Sequence, residues 1–168
     1  EVTKGFYIDS CNRIRTMAII HEKPYGSNDF TDIAFPSYIN DVVSSLSKSY
    51  LINAQIKIKV EVDDISLHIN EAIPCGLIIN ELVSNSIKYA FNGRDEGELL
   101  VSLKSKPENR LILIVKDNGI GIPEGFSIHD CSTLGLQLVE SLVTQLDGKV
   151  ELIRDNGTEV QIEFSYGK

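Results

Sequence analysis

Apolar residues in this chain recur with two different periods, and the switches between them mark out its elements. Over 6–22, Tyr7, Cys11, Ile14, Ala18 and His21 return at steps of three and four with Met17 alongside, which predicts a helix. Pro24 and Gly26 stop it, and 26–32 reads as a loop. Ile33 to Phe35 is a short apolar piece read as a strand. Pro36 suits the first turn of a second helix, whose stripe is Ile39, Val42, Val43, Leu46 and Tyr50. The period then drops to two: Ile56, Ile58, Val60 and Val62 alternate with Lys57, Lys59 and Glu61, a half-buried strand. Asp63-Asp64 ends it, and Leu67 to Ile69 predicts a second short strand.

Asn70 is the expected N-cap of a long helix from Glu71 to about Phe91, with Pro74 in its first turn and Asn92-Gly93 after its end. Leu99, Val101 and Leu103 alternate again, and 107–109 turns the chain. Leu111 to Val115 is apolar throughout, as expected of a central strand covered on both faces. A loop to Thr133 leads to a helix over about 134–146, with Gly148 expected in the left-handed position past its end. Two strands around Val150 to Leu152 and Val160 to Phe164 close the chain, joined by an Asp155-Asn156-Gly157 hairpin. Strands do not alternate one-to-one with helices. The fold class expected is therefore α+β: a two-layer sandwich whose mixed sheet is covered by helices on one face, preceded by an N-terminal helix.

Composition adds limits. The chain has 168 residues, 42% hydrophobic and 24% charged, enough for one full-sized globular domain. No apolar run approaches the roughly 20 residues of a membrane span, and the N-terminus lacks the apolar core of a signal peptide. A net charge of -8 argues against nucleic acid as a partner, although one nucleotide needs only a local site. Cys11, Cys75 and Cys131 are scattered and read as reduced thiols in a cytoplasmic setting. His21, His68 and His129 are equally scattered, and no zinc site is expected.

Four short pieces carry chemistry. On the 71–91 helix, Glu81, Asn85 and Lys88 fall at steps of four and three and share one face. Such a stripe is costly to bury unless something pairs with it. A magnesium nucleotide would pair with it, since oxygen donors suit a hard cation and an ammonium suits phosphate. Tyr89, beside it, is a packing aromatic or part of a nucleotide pocket. Asp117-Asn118-Gly119-Ile120-Gly121 ends the most apolar strand, where a carboxylate can accept from an exocyclic amine such as adenine offers. Thr133-Leu134-Gly135-Leu136 opens a helix after a loop, an arrangement suited to anions. Gly157-Thr158 follows a hairpin turn. Taken singly, each piece has a plain alternative: a solvated stripe, a turn, an ordinary cap by Ser132 or Thr133, a hairpin.

In this order the four resemble the ATP-binding domain of sensor histidine kinases, of the wider GHKL group with the Bergerat fold. Asn80 to Ala90 looks like the N box, Asp117 to Gly121 the first glycine box, Leu134-Gly135-Leu136 the second, and Gly157-Thr158 the last. The segment from Asn12 to Tyr25 is similar to one subfamily, with an altered phosphoacceptor box and a short nucleotide lid. There it closes the second helix of the dimerisation domain, and the phosphoacceptor histidine lies on the preceding helix. The resemblance implies that 1–32 is the end of that domain plus a linker, that 33–168 is the ATP-binding domain, and that the phosphoacceptor helix is absent from this chain. His21-Glu22 resembles a phosphoacceptor box only superficially, because Pro24 ends the helix at once.

By resemblance, Asn85 ligates Mg²⁺, Lys88 and Tyr89 line the phosphate and ribose side, and Asp117 pairs with the adenine amine. Gly119 and Gly121 form the wall beside it, Leu134, Gly135 and Leu136 form the lid-to-helix turn, and Thr158 contacts adenine directly or through water. Glu81 stands where related ATPases keep a water-activating base, or, in a kinase, polarises the metal-bound network. The function implied is transfer of the ATP γ-phosphoryl group to a histidine of the dimerisation domain, for relay to a response-regulator aspartate. A homodimer is expected for the full-length protein, with or without a membrane tether. The alternatives are a protein-serine kinase of the anti-sigma type and a non-catalytic nucleotide-binding module.

Overall fold

A computed structural model describes residues 2–22, 32–50, 56–126 and 133–167. The loop expected over 26–32 and the phosphate lid before Thr133 fall largely outside them, as do Ser132, His129 and Cys131. The chain runs α1 (Val2–Glu22), β1 (Asp32–Ala34), α2 (Phe35–Ser49), β2 (Ile56–Val62), β3 (Ser66–His68) and α3 (Ile69–Asn85). A π-helical turn (Ser86–Ala90) extends α3, and β4 (Gly97–Lys106), β5 (Arg110–Asp117), α4 (Leu134–Gln145), β6 (Lys149–Ile153) and β7 (Thr158–Ser165) follow. Five strands form one sheet in the order β2-β4-β5-β7-β6, and β1 pairs with β3 in a small ribbon. β2 and β4 are parallel and the other neighbours antiparallel, the mixed sheet expected.

Register explains where the core ends and a polar site begins. Leu103, Leu113 and Ile162 stand side by side across β4, β5 and β7, followed by Val101, Val115 and Val160. All six are buried under the helices. Each such side chain contributes about 1.5–3 kcal/mol when fully removed from water. The next row of the same face is Leu99, Asp117 and Thr158. A carboxylate thus occupies a slot that two-residue periodicity reserves for an apolar side chain, and Asp117 is only 3% exposed. Above the sheet, α2 contributes Tyr38, Ile39, Val42, Val43 and Leu46, α3 contributes Cys75, Ile78, Ile79 and Val83, and α4 contributes Val139, Leu142 and Val143. Burial pushes the Tyr38 hydroxyl and the Cys75 thiol well above their usual pKa values.

Several local expectations need correction. β5 is covered on one face only: Leu111, Leu113 and Val115 are buried, while Ile112 and Ile114 are partly open on the other side. The long helix starts at Ile69 and is capped by His68, not Asn70. β3 delivers His68 in an extended conformation, its Nδ1 accepts the Asn70 N–H at 3.2 Å, and Glu71 accepts the His68 N–H at 3.2 Å. Pro74 therefore lies inside the helix rather than in its first turn, and it denies an i+4 donor to the exposed Asn70. After α4 the left-handed residue is Asp147 (φ 52°), not Gly148. Gly148 is needed for closeness instead, since a Cβ there would stand 3.1 Å from the Glu163 carbonyl oxygen.

The largest departure concerns α1. Its buried residues are Asn12, Thr16 and Ile20, one turn apart. Tyr7, Cys11, Ile14, Met17 and His21, from the stripe read as apolar, are exposed. The helix docks with a mainly polar seam and leaves its larger apolar side chains outside. Among the described residues, no helix is long and apolar enough to cross a membrane.

Candidate functional site

The end of β5 places Asp117 under the π-helical turn, and three segments converge on its carboxylate. Ser86 Oγ donates to Oδ2 at 2.8 Å. The backbone N–H groups of Gly119 and Thr158 donate to Oδ1 at 3.0 and 3.2 Å. The first arrives because the π turn aims Ser86 at the strand end, a use typical of such turns at functional sites. The last arrives because Gly157, at φ 128°, lets the hairpin pass so close that a Cβ would stand 2.0 Å from the Asp117 carbonyl oxygen. Asn118 fixes the adjoining backbone: its Oδ1 accepts the Glu98 N–H at 2.8 Å.

A second polar cluster lies on α3. Glu81 is buried, and Arg13 of α1 grips it with Nε at 2.8 Å from Oε1 and Nη2 at 2.7 Å from Oε2. Asn80 Nδ2 donates to Glu81 Oε1 at 2.8 Å, and Asn80 Oδ1 accepts from Thr16 Oγ1 at 3.3 Å. The Glu81 contact holds the Arg13 guanidinium above its usual pKa. Lys88 pairs with Asp9 of α1 and stands 5.4 Å from the centre of the Tyr50 ring. Burial, the largest single influence, works against its charge, but Asp9 together with Tyr50 and Tyr89 outweighs it and the pKa is raised. Tyr50 donates to Asp9 at 2.7 Å, and burial lifts its own hydroxyl pKa. Asn85, between Glu81 and Lys88 and partly exposed, has no side-chain hydrogen bond among the described residues.

A cavity of about 920 Å³ joins the two clusters. Of the residues singled out from sequence, Glu81, Asn85, Lys88, Tyr89, Asp117, Gly121, Leu134, Gly135, Leu136 and Thr158 all line it. Gly119 does not: its backbone packs on Ala90, where a Cβ would meet the carbonyl oxygen at 2.3 Å. Gly135 opens α4 directly against the second cluster, and a Cβ there would lie 2.6 Å from Glu81 Oε2. Thr133 stands at the N-cap position of α4, extended, with no side-chain capping bond among the described residues. Tyr89, Ile120 and Leu134 are exposed at the cavity.

Sequence reasoning did not anticipate Ser86, Asp9, Arg13 or Tyr50 at this site. Ser86 had a usable signal, being one turn after Leu82 within the polar stretch Ser84-Asn85-Ser86. Asp9 and Arg13 had one too: a step of four placing opposite charges on one face of α1.

Residues 70–168 match the family model described as histidine kinase-, DNA gyrase B-, and HSP90-like ATPase, and residues 1–50 match a model described as histidine kinase. The sensor histidine kinase PdtaS of Mycobacterium tuberculosis is 30% identical over 166 residues, which is 96% of this chain and 32% of that protein. Blue-light-activated histidine kinase 2 of Erythrobacter litoralis is 26% identical, over 95% of this chain and 48% of its own length. The chain thus spans about a third to a half of these curated relatives. The histidine kinase domain of a blue-light-activated histidine kinase from Erythrobacter litoralis shares the fold, with a TM-score of 0.86 at 24% identity over 94% of this chain and 75% of that one. With more than half of its residues inside one family model, the chain belongs to the histidine kinase-, DNA gyrase B-, and HSP90-like ATPases, and it carries the ATP-binding domain of a sensor histidine kinase.

Proposed function

We propose that the cavity binds ATP with Mg²⁺, and that the protein of which this sequence is a part passes the γ-phosphoryl group to a histidine of its dimerisation domain, for relay to an aspartate of a response regulator. In this reading residues 1–32 are the closing helix of the dimerisation domain and its linker, and 33–168 are the ATP-binding domain. The full-length kinase works as a homodimer with this part in the cytoplasm. His21, exposed in the last turn of α1, is not the acceptor.

One observation carries the nucleotide assignment: the acceptor count at Asp117. An ionised carboxylate offers about four lone-pair sites. Ser86, Gly119 and Thr158 fill three, two on Oδ1 and one on Oδ2, which leaves one acceptor position on Oδ2 of a residue that lines the cavity. That is a fixed single acceptor on an apolar floor, suited to one exocyclic N–H of adenine. At the other end, the donor chemistry fits a hard cation beside phosphates. The Asn85 carboxamide would hold Mg²⁺, and Lys88 would meet phosphate oxygens. The ion's contribution when bound is neutralisation of phosphate charge. Positioning and electrostatics then do most of the transfer. The match of residues 1–50 to a histidine kinase model favours this reading over an anti-sigma serine kinase.

Titration calorimetry with the magnesium complex of AMPPNP tests it. Asp117→Asn keeps the shape but turns one acceptor into a donor, and affinity is expected to fall about 10- to 100-fold, the worth of a hydrogen bond to a charged group. Unchanged affinity in that variant, or no binding by the parent chain, would overturn the assignment.

A further inference from the structure

α1 carries its charges inward and its large apolar residues outward, the reverse of a helix held by hydrophobic burial. Tyr7 and Ile14 are 71% and 63% exposed, whereas Phe6, 61% exposed, lines the cavity beside Asp9 and Arg13. What it turns toward α3 is Asp9, Asn12, Arg13 and Thr16, ending in Ile20. The contacts are specific in sign. The acid Asp9 sits on the cation Lys88, and the cation Arg13 sits on the acid Glu81, so the pairs descend α3 as they ascend α1. Asp9, Arg13, Glu81 and Lys88 all line the same cavity. Asn12 Nδ2 and Ser84 Oγ, both buried, sit against the Tyr50 hydroxyl, which in turn donates to Asp9.

We propose that Asp9 and Arg13 form a two-point latch, in which a carboxylate of α1 occupies on Lys88 the place of a phosphate oxygen while a guanidinium of α1 ties up both oxygens of Glu81, so that docking of α1 and binding of the nucleotide's phosphates exclude one another. Asp9 and Arg13 are positioning residues: they act through Lys88 and Glu81 and touch no reacting atom. The inference rests on the nucleotide assignment above and adds the identity of the groups that compete with the phosphates. The Asp9–Lys88 pair, about a quarter exposed, is the more salt-sensitive half of the latch, and the Arg13–Glu81 pair is the more buried and less screened half. When nucleotide takes Lys88, Asp9 keeps only the hydrogen bond from Tyr50, and the remaining polar seam is a weak anchor for a helix with an apolar outer face.

Linkage supplies two readouts that must agree, because coupling between two sites is reciprocal. In calorimetry with the magnesium complex of AMPPNP, Asp9→Asn is expected to tighten binding about three- to tenfold, as removal of a competing docked state raises the binding-competent fraction. Asp9→Glu, which restores the carboxylate, is expected to return affinity toward that of the parent chain; loss of mere packing would not be rescued in this way. In the unaltered protein, saturating nucleotide is expected to speed amide hydrogen exchange across residues 5–20 while slowing it around Asp117. Weaker or unchanged affinity in Asp9→Asn, or slower exchange in α1 on nucleotide binding, overturns the latch. Those results leave the nucleotide assignment standing. Absence of nucleotide binding, or indifference to Asp117→Asn, overturns that assignment instead.

Discussion

The two ends of the cavity are both rich in charge, yet they are built on opposite principles. At Asp117 the partners belong to the core elements and the turn that leaves them: a serine from the π turn, the backbone amide of Gly119 just after β5, and that of Thr158 at the start of β7. At Glu81 and Lys88 the main partners are flexible charged side chains from α1, a helix held by a polar seam. The first end cannot relax without disturbing β5 and β7. The second can exchange one set of charges for another. A base needs one fixed acceptor, whereas phosphates need cations that can be handed over. The difference therefore matches what each end is proposed to hold.

Breaking the rigid end gives the largest effects. Gly157→Ala forces a side chain onto a residue at φ 128° whose Cβ would overlap the Asp117 carbonyl. A loss of about 2–3 kcal/mol is expected. For a chain of this size that is roughly 5–10 °C in thermal denaturation, read by circular dichroism. Ser86→Ala removes one donor from Asp117 and is expected to cost about 1.5–2 kcal/mol by the same measurement, since the bond is buried and its acceptor charged. If Ser86→Ala proves neutral, the rigid end is less dependent on its donors than the contrast requires.

The exchangeable end sharpens the comparison with a smaller and pH-linked effect. Lys88 has a raised pKa in the folded protein, with burial opposing and Asp9 favouring its charge. A raised cationic group contributes stability in full below its unfolded pKa and loses it as pH rises through the folded value. Stability from the Asp9 contact is therefore expected to stay level below the usual lysine value of 10.5 and to decline above it. The Asp9→Asn variant should lack that alkaline decline. A difference of no more than about 1 kcal/mol is expected for a partly exposed pair, measured by urea denaturation from pH 8 to 11. An equal decline in both chains would remove Asp9 from the account.

Much of this could be read from residue order because it rests on local chemistry. Period-two and period-3.6 patterns marked the strands and helices of the sandwich, and the four polar pieces all came to one cavity. What escaped was set by tertiary contact. Asn12, Thr16 and Ile20 are the buried stripe of α1, but two of them are polar, so a search for apolar recurrence found Tyr7, Cys11 and Ile14 instead. Nothing in the local pattern of Arg13 points to a glutamate 68 residues away. The π turn at 86–90 escaped for the same reason: it is a response to the strand end beneath it rather than to its own helix propensity. His68 escaped because a cap at the end of a strand depends on how that strand is paired.

The convergence at Asp117 also bears on how the chain reaches its native state. Its hydrogen-bond donors lie 31 residues before it, 2 after it and 41 after it. Closing such distant segments is entropically slow, and β5 and β7 must pair in register before Thr158 arrives. The acceptor geometry is thus completed only when the sheet is, and a partly folded chain has no site to offer. A ligand that needs this geometry binds the finished fold alone. By mass action it raises apparent stability by about 2.7 kcal/mol at a hundredfold excess over its dissociation constant. In a cell where nucleotide is plentiful, occupancy of this pocket is then itself a form of folding quality control.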